Sequence, residues 1–304
     1  MSTARLRGTS LSGEVYPAFR DHHVHLGLVD TDLLAGGALA AVVDLGWSPD
    51  VVARAAAAPV TVHVAGQFLT APGGYPSDRP WAPHDSVRAV AHPREAEAAV
   101  AAQRALGVHA VKVTLHRDAG PVLDLATLEA IVAAAGELPV VAHAEGAGMV
   151  ELALAAGVDV LAHTPWTHHL ETEVVRECVA AGMAWISTLA IHDHAETGDT
   201  GDTGDNGLDI ALANLAAFHA AGGRVLYGTD LGNGPLPVGL NLRELALLRR
   251  AGLDDAALLA ALTDPWPAPL GRDVLTFVPG PAEEDLLLRM RGAVARAASD
   301  LETG

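Results

Sequence analysis

Short apolar runs alternate along the chain with segments whose apolar residues recur at helical spacing. The first run leads from Val15 through Phe19 into Asp21-His22-His23-Val24-His25 and stops at Gly27. Further strands are predicted over 38–47, 60–65, 108–115, 138–143, 158–163, 183–189 and 224–230. Helices are expected between them over 49–57, 93–106, 123–136, 148–156, 171–181 and 208–221, with a turn or short helix over 30–37. After the eighth strand come helices over 240–251 and 255–263, a Pro-rich loop, and a final helix over about 282–298. Eight strand–helix alternations are the signature of parallel strands joined by crossover helices. The expected fold class is α/β, a (β/α)8 TIM barrel. A doubly wound open sheet is the competing architecture, but no Gly-x-Gly-x-x-Gly loop follows the first strand. The chain reads as one domain over 1–304, with a barrel core at about 18–271 and terminal extensions at 1–17 and 272–304.

Composition narrows the function classes. Half of the 304 residues are hydrophobic, enough for one large core, yet no apolar run is long enough to span a bilayer. No signal-like segment opens the chain, so a cytoplasmic protein is expected. A formal charge of -18 argues against nucleic acid or anionic membrane as a partner. A small-molecule substrate is expected, and a homo-oligomer is left open. The lone Cys178 excludes an internal disulfide, and its helical setting favours a buried structural thiol.

The basic residues are unevenly chosen: 18 arginines and a single lysine, Lys112. That lysine interrupts the apolar strand Val111-Lys112-Val113-Thr114-Leu115, where a charge is costly. A neutral primary amine reacts with carbonyl carbon or carbon dioxide, which arginine does not do. The competing reading is a strand-end lysine reaching solvent.

His23 and His25 are two apart and share one face of a strand, so their imidazoles converge, as a metal ion requires. A polar strand end explains the pair equally well until the other strand ends are read. Those ends carry Lys112, His143, His163 and Asp230, each after an apolar strand. In a barrel they share one face, where the active site of this fold is built.

This set, with His23-x-His25 inside Pro17-Ala18-Phe19-Arg20-Asp21-His22-His23-Val24-His25, resembles the amidohydrolase superfamily in its two-metal form. The likeness runs from about Val15 to 271 and includes segments 241–248 and 262–271. It implies two divalent ions, often zinc: His23, His25 and Asp230 on one, His143 and His163 on the other. It also implies that Lys112, carboxylated by carbon dioxide, bridges both, and that Asp230 acts as proton acceptor. The implied reaction is metal-dependent hydrolysis of a C–N or C–O bond at a carbonyl carbon, as in an amide, cyclic amide or lactone. Only 22 residues precede His23, so the family's terminal β-sandwich is expected to be reduced or absent. Glu145 follows His143 by two, which keeps a one-metal deaminase of a heterocycle open. A metal-binding barrel without turnover is the third reading.

Asp21 shares the face of the histidine pair and is assigned either to orienting an imidazole or to structural hydrogen bonding. His116, Arg117, Trp166, His168, His169, His192, His194 and Tyr75 lie in loops after strands. They are candidates for substrate contact, Arg117 for a carboxylate and a histidine or Tyr75 for an oxyanion, and each also reads as a solvated loop residue. The Thr-Gly-Asp repeat over 197–207 lacks calcium-loop spacing and reads as a flexible loop placed where a lid would sit.

Overall fold

A computed structural model describes residues 2–193, 207–270, 273–282 and 284–303. His194 and residues 197–206 of the expected lid lie outside the described residues. The chain opens with β1 (Ser2–Leu6) and β2 (Ser12–Pro17), followed by β3 (Phe19–Val24), which carries the histidine pair at its end. Then come β4 (Leu39–Asp44), α1 (Val51–Ala57), β5 (Thr61–Val64), β6 (Phe68–Thr70), β7 (Val87–Ala89) and α2 (Pro93–Ala105). Strand and helix alternate through β8 (Val111–His116), α3 (Leu125–Ala135), β9 (Val140–Glu145), α4 (Met149–Ala155), β10 (Val160–Leu161), α5 (Thr172–Ala180), β11 (Ala184–Ile186), α6 (Gly207–Ala220) and β12 (Arg224–Leu226). Helices α7 (Leu242–Arg250) and α8 (Asp255–Thr263) follow, then β13 (Val274–Pro279), α9 (Leu286–Met290), β14 (Val294–Ala297) and β15 (Leu301–Thr303).

Two parallel sheets form the body, β3-β4-β5 and β12-β11-β10-β9-β8-β6-β7. Backbone bonds link the two sheets at two places, next to β12 and next to β8. The amide of His22 donates to the Tyr227 carbonyl at 2.9 Å, that of Asp230 to His23 at 2.8 Å, and that of His109 to Val64 at 2.8 Å. The result is a barrel-like α/β fold. Strand alternation sorts the side chains. Val111, Val113 and Leu115 face the helix layer, while Val43, Val141, Ala184, Ile186 and Leu226 pack with Trp266 in a second, inner cluster. Along β8 the positions left over, Lys112, Thr114 and His116, point inward.

Two sequence expectations are corrected here. Between residues 66 and 92 no strand was expected, yet Phe68–Thr70 pairs with both Val87–Ala89 and β8. The terminal extensions form one antiparallel sheet, β14-β13-β2-β1-β15. In consequence the final helix over 282–298 is not formed; only Leu286–Met290 is helical, and Val294–Ala297 pairs with β13. Helix propensity over this alanine- and leucine-rich stretch yields to an open ladder edge on β13, where Phe277 registers against Val294. Among the described residues no helix is long and apolar enough to cross a membrane. Cys178 is buried in α5, and burial pushes its thiol up to about 11, as a structural thiol requires.

Candidate metal centre

At the end of β3 the chain presents His23 and His25 to one point. Their Nε2 atoms lie 3.3 Å apart, and Asp230 Oδ1 is 3.1 Å from the first and 3.2 Å from the second. Each imidazole is oriented from behind by a carbonyl: His23 Nδ1 donates to Ala162 at 2.8 Å, and His25 Nδ1 donates to Gly46 at 2.9 Å. With the protons on Nδ1, both Nε2 atoms present lone pairs, and they face a carboxylate oxygen that has no hydrogen-bond donor of its own. Three acceptors turned on one another in a buried site repel unless a cation lies among them, so the donor set fits a metal ion. Burial holds His23 neutral, down to about 3, while on His25 the Asp230 carboxylate overcomes burial and raises the pKa.

The supports are built from neighbouring strand ends. Asp44 closes β4 and accepts from the amides of Leu26 at 2.7 Å and Gly46 at 3.0 Å, which fixes both the turn after His25 and the carbonyl behind it. Gly46 has φ 142, and a Cβ there would run 2.2 Å from the Phe68 ring, so only glycine passes. Asp230 has φ 59, and its other oxygen accepts from Asn233 Nδ2 at 2.9 Å, which leaves Oδ1 for the histidine pair. Thr188, a β-branched residue at φ 43, holds His163 through an Oγ1–Nδ1 contact of 2.9 Å. Left-handed backbone at non-glycine residues costs about 1–3 kcal/mol, and the two such residues described here both serve this site.

Asp21 does not reach an imidazole. Its carboxylate accepts from the amides of His23 and Thr229, both at 3.0 Å, and from the Thr229 hydroxyl at 2.6 Å, so it ties the ends of the first and eighth strands together. The orienting role weighed for it falls to the Ala162 and Gly46 carbonyls.

His143 and His163 meet beside the first group, with ring centroids 5.0 Å apart, and His163 lies 4.7 Å from His23. Lys112 is buried beneath them and makes no hydrogen bond or ion pair with a described residue. Burial draws its pKa from 10.5 down to about 7. A second convergence includes two residues that the sequence placed outside the metal set. His143 Nε2 lies 3.2 Å from His116 Nδ1 and 3.4 Å from Glu145 Oε1, while Glu145 Oε2 lies 3.3 Å from His116. Burial pushes Glu145 up to about 7.

Above these groups opens a cavity of about 930 Å³. Of the candidates for substrate contact, Tyr75, Trp166 and His192 line it, and His116 lies against it through Tyr75, at 4.9 Å between rings. Arg117 does not: it is exposed and turns toward Gly146, whose Cβ position is 2.9 Å from the Arg117 Cβ. His168 and His169 also lie outside the lining. Phe68, Trp81, Asp193 and Arg243 were not flagged from the sequence, and the last two form a salt bridge. Periodicity gave no signal for Trp81 and Asp193, which lie outside the helices and strands, and for Phe68 and Arg243, on β6 and α7, it does not say what the exposed face meets. Asp44, at the end of a strand, was legible by the criterion that found His143.

No family model matches the sequence, and no curated protein matches it. Ninety solved chains match in structure. A Xaa-Pro dipeptidase with bound methionine in its active site shares 20% identity at TM-score 0.75, over 95% of this chain and 87% of that one. The A. niger ochratoxinase shares 18% at 0.75, over 93% and 82%. A prolidase complexed with N-methylphosphonate-L-proline shares 18% at 0.68, over 98% and 88%. A further neighbour, named an amidohydrolase, shares 18% at 0.71, over 96% and 87%, and the likeness to all of them is one of fold.

Proposed function

We propose that this chain is a metal-dependent hydrolase of amidohydrolase type, cleaving a C–N or C–O bond at the carbonyl carbon of an amide, cyclic amide or lactone. The observation that carries the reading is the convergence of His23 Nε2, His25 Nε2 and Asp230 Oδ1 within 3.1–3.3 Å, acceptors all, at the floor of a large cavity. Neighbours of this fold named dipeptidase, prolidase and ochratoxinase support it. The two parallel sheets, linked by backbone bonds beside β12 and beside β8, support reading the body as one (β/α)8 barrel with its site at the strand ends.

His23, His25 and Asp230 would hold one divalent ion, and His143 with His163 a second; imidazole and carboxylate donors suit zinc. Lys112 stands to join them as a carbamate formed with carbon dioxide. Its buried amine, with a pKa near 7, is largely neutral at mildly alkaline pH, the form that reacts. When bound, the ions supply Lewis acidity toward a carbonyl and lower the pKa of water. Asp230 accepts the attacking water's proton at its carboxylate and returns it to the departing nitrogen or oxygen, while Asn233 fixes its orientation. Tyr75, kept protonated by burial, stacks on His143 and is placed to donate to the developing oxyanion.

A one-ion deaminase has one observation in its favour, the pairing of Glu145 with His143 and His116, where a carboxyl with pKa near 7 serves as proton carrier. Metal analysis of the purified chain separates the two: two zinc ions per chain are expected, and one supports the deaminase. Asp230→Asn is expected to keep the fold and lower kcat by a factor of about 10²–10⁴, the usual worth of a proton-transfer group. Wild-type turnover of amides and lactones by Asp230→Asn would overturn the assignment.

A further inference from the structure

The chain is poor in aromatics, with 4 Phe, 5 Trp and 3 Tyr, yet Phe68, Tyr75, Trp81 and Trp166 all line the cavity over the metal centre. Phe68, Tyr75 and Trp81 form one wall: Trp81 meets each of the other two rings edge to face at 6.2 Å. That wall starts at the centre itself. Phe68 lies 5.9 Å and Trp81 6.2 Å from the His25 ring, and Tyr75 stacks on His143 at 4.9 Å and 18°. Trp166, tilted on His192 at 4.6 Å, supplies a second aromatic surface. Tyr75, Trp81 and Trp166 are only partly buried, so part of each ring remains open to an occupant. Charge points the same way. The one guanidinium of the lining, Arg243, is already paired with Asp193, and Lys112 lies buried at the floor, so the described lining has no spare fixed cation for a substrate carboxylate.

We infer that this site takes an uncharged aryl carbonyl compound, of which a neutral aryl amide is the simplest case. A carbonyl held at the centre brings its substituent within reach of these rings, where offset or edge-to-face contact adds to area burial. A cavity of about 930 Å³ accommodates more than one ring. The cleavage itself rests on the hydrolase reading above: water oxygen bonds to the carbonyl carbon, the C–N bond breaks, and acid and arylamine leave. The aryl preference rests on the cavity wall alone.

The test uses the zinc-loaded full chain with three probes of similar size: acetanilide, N-cyclohexylacetamide and 4-acetamidobenzoate. Binding is read by calorimetry and cleavage by chromatography. Acetanilide is expected to bind tightest, ahead of the cyclohexyl amide by about 2–10-fold for each ring contact made. Trp81→Leu and Trp166→Leu should each shrink the ratio of acetanilide to cyclohexyl-amide affinity by the same order, whatever they cost the two amides in common. Equal binding of the phenyl and cyclohexyl amides, tighter binding of the benzoate, or no binding of acetanilide at its solubility limit would overturn the inference. So would a preference that survives both substitutions together. An aryl preference in binding without cleavage leaves the inference standing and removes the hydrolase reading. Cleavage of amides without an aryl preference does the reverse.

Discussion

Replacing Lys112 by methionine, similar in length but uncharged, is expected to make the metal-free protein more stable and its metal centre worse. Lys112 is 1% exposed and has no ion-pair partner among the described residues, so in the absence of metal its ammonium is a desolvated charge. Burial lowers its pKa from 10.5 to about 7 in the folded chain. At about 1.36 kcal/mol per pH unit, that span amounts to roughly 5 kcal/mol of folding free energy. Because the folded pKa is the lower one, the unfolded chain binds the extra proton between about pH 7 and 10.5, and stability rises with pH across that window. The penalty is full below pH 7 and gone above 10.5. Urea denaturation of metal-free wild type and Lys112→Met, from pH 6 to 10, reads it directly. The variant should gain a few kcal/mol at low pH, with a higher Tm, and the gap should close as pH rises. Zinc analysis of the same variant should show one ion fewer per chain. A Lys112→Met protein less stable than wild type at pH 6, or a gap independent of pH, would refute the reasoning. Lysine would then be a structural partner.

Three further outcomes follow from the supports of the centre. Asp21→Ala leaves two buried amides and the Thr229 hydroxyl without an acceptor, and should cost about 2–5 kcal/mol in urea denaturation; Asp21→Asn, which retains one oxygen for the two amides, should cost less. Thr188→Val removes the partner of His163 Nδ1 and should weaken cation affinity by about 10–100-fold in a chelator competition, with little change in the affinity of the His23 site. Stripping the ions with a chelator should lower Tm, and zinc should restore it, since about 2.7 kcal/mol is lost per site when free metal had stood at about 100 times its Kd. An unchanged Tm after complete removal, verified by metal analysis, would count against an ion among His23, His25 and Asp230.

The metal-ligand candidates were legible because two local rules apply to them without knowledge of the fold. Strand alternation puts His23 with His25 and Lys112 with Thr114 on common faces, and burial makes a solitary lysine inside an apolar strand expensive enough to demand a reason. Alternation of strand and helix likewise carried the parallel sheets, since crossover geometry is a property of neighbouring elements. What depended on partners far along the chain was not legible. The segment 294–297 is a strand only because β13 offers it an edge, and its own composition favours helix. Asp21 faces the site side of β3, but whether its carboxylate meets an imidazole or a backbone amide is set by Thr229, 208 residues away. Arg117 follows the lysine strand as a ligand contact would, yet the turn it starts points it outward. The aromatic wall was the largest gap: Tyr75 was a candidate, but Phe68 stands on the short strand β6 that no alternation announced, and Trp81 lies in a loop, where no period ties a residue to a direction. Only the packing of the segment 68–81 against His25 and His143 determined that these rings face the centre.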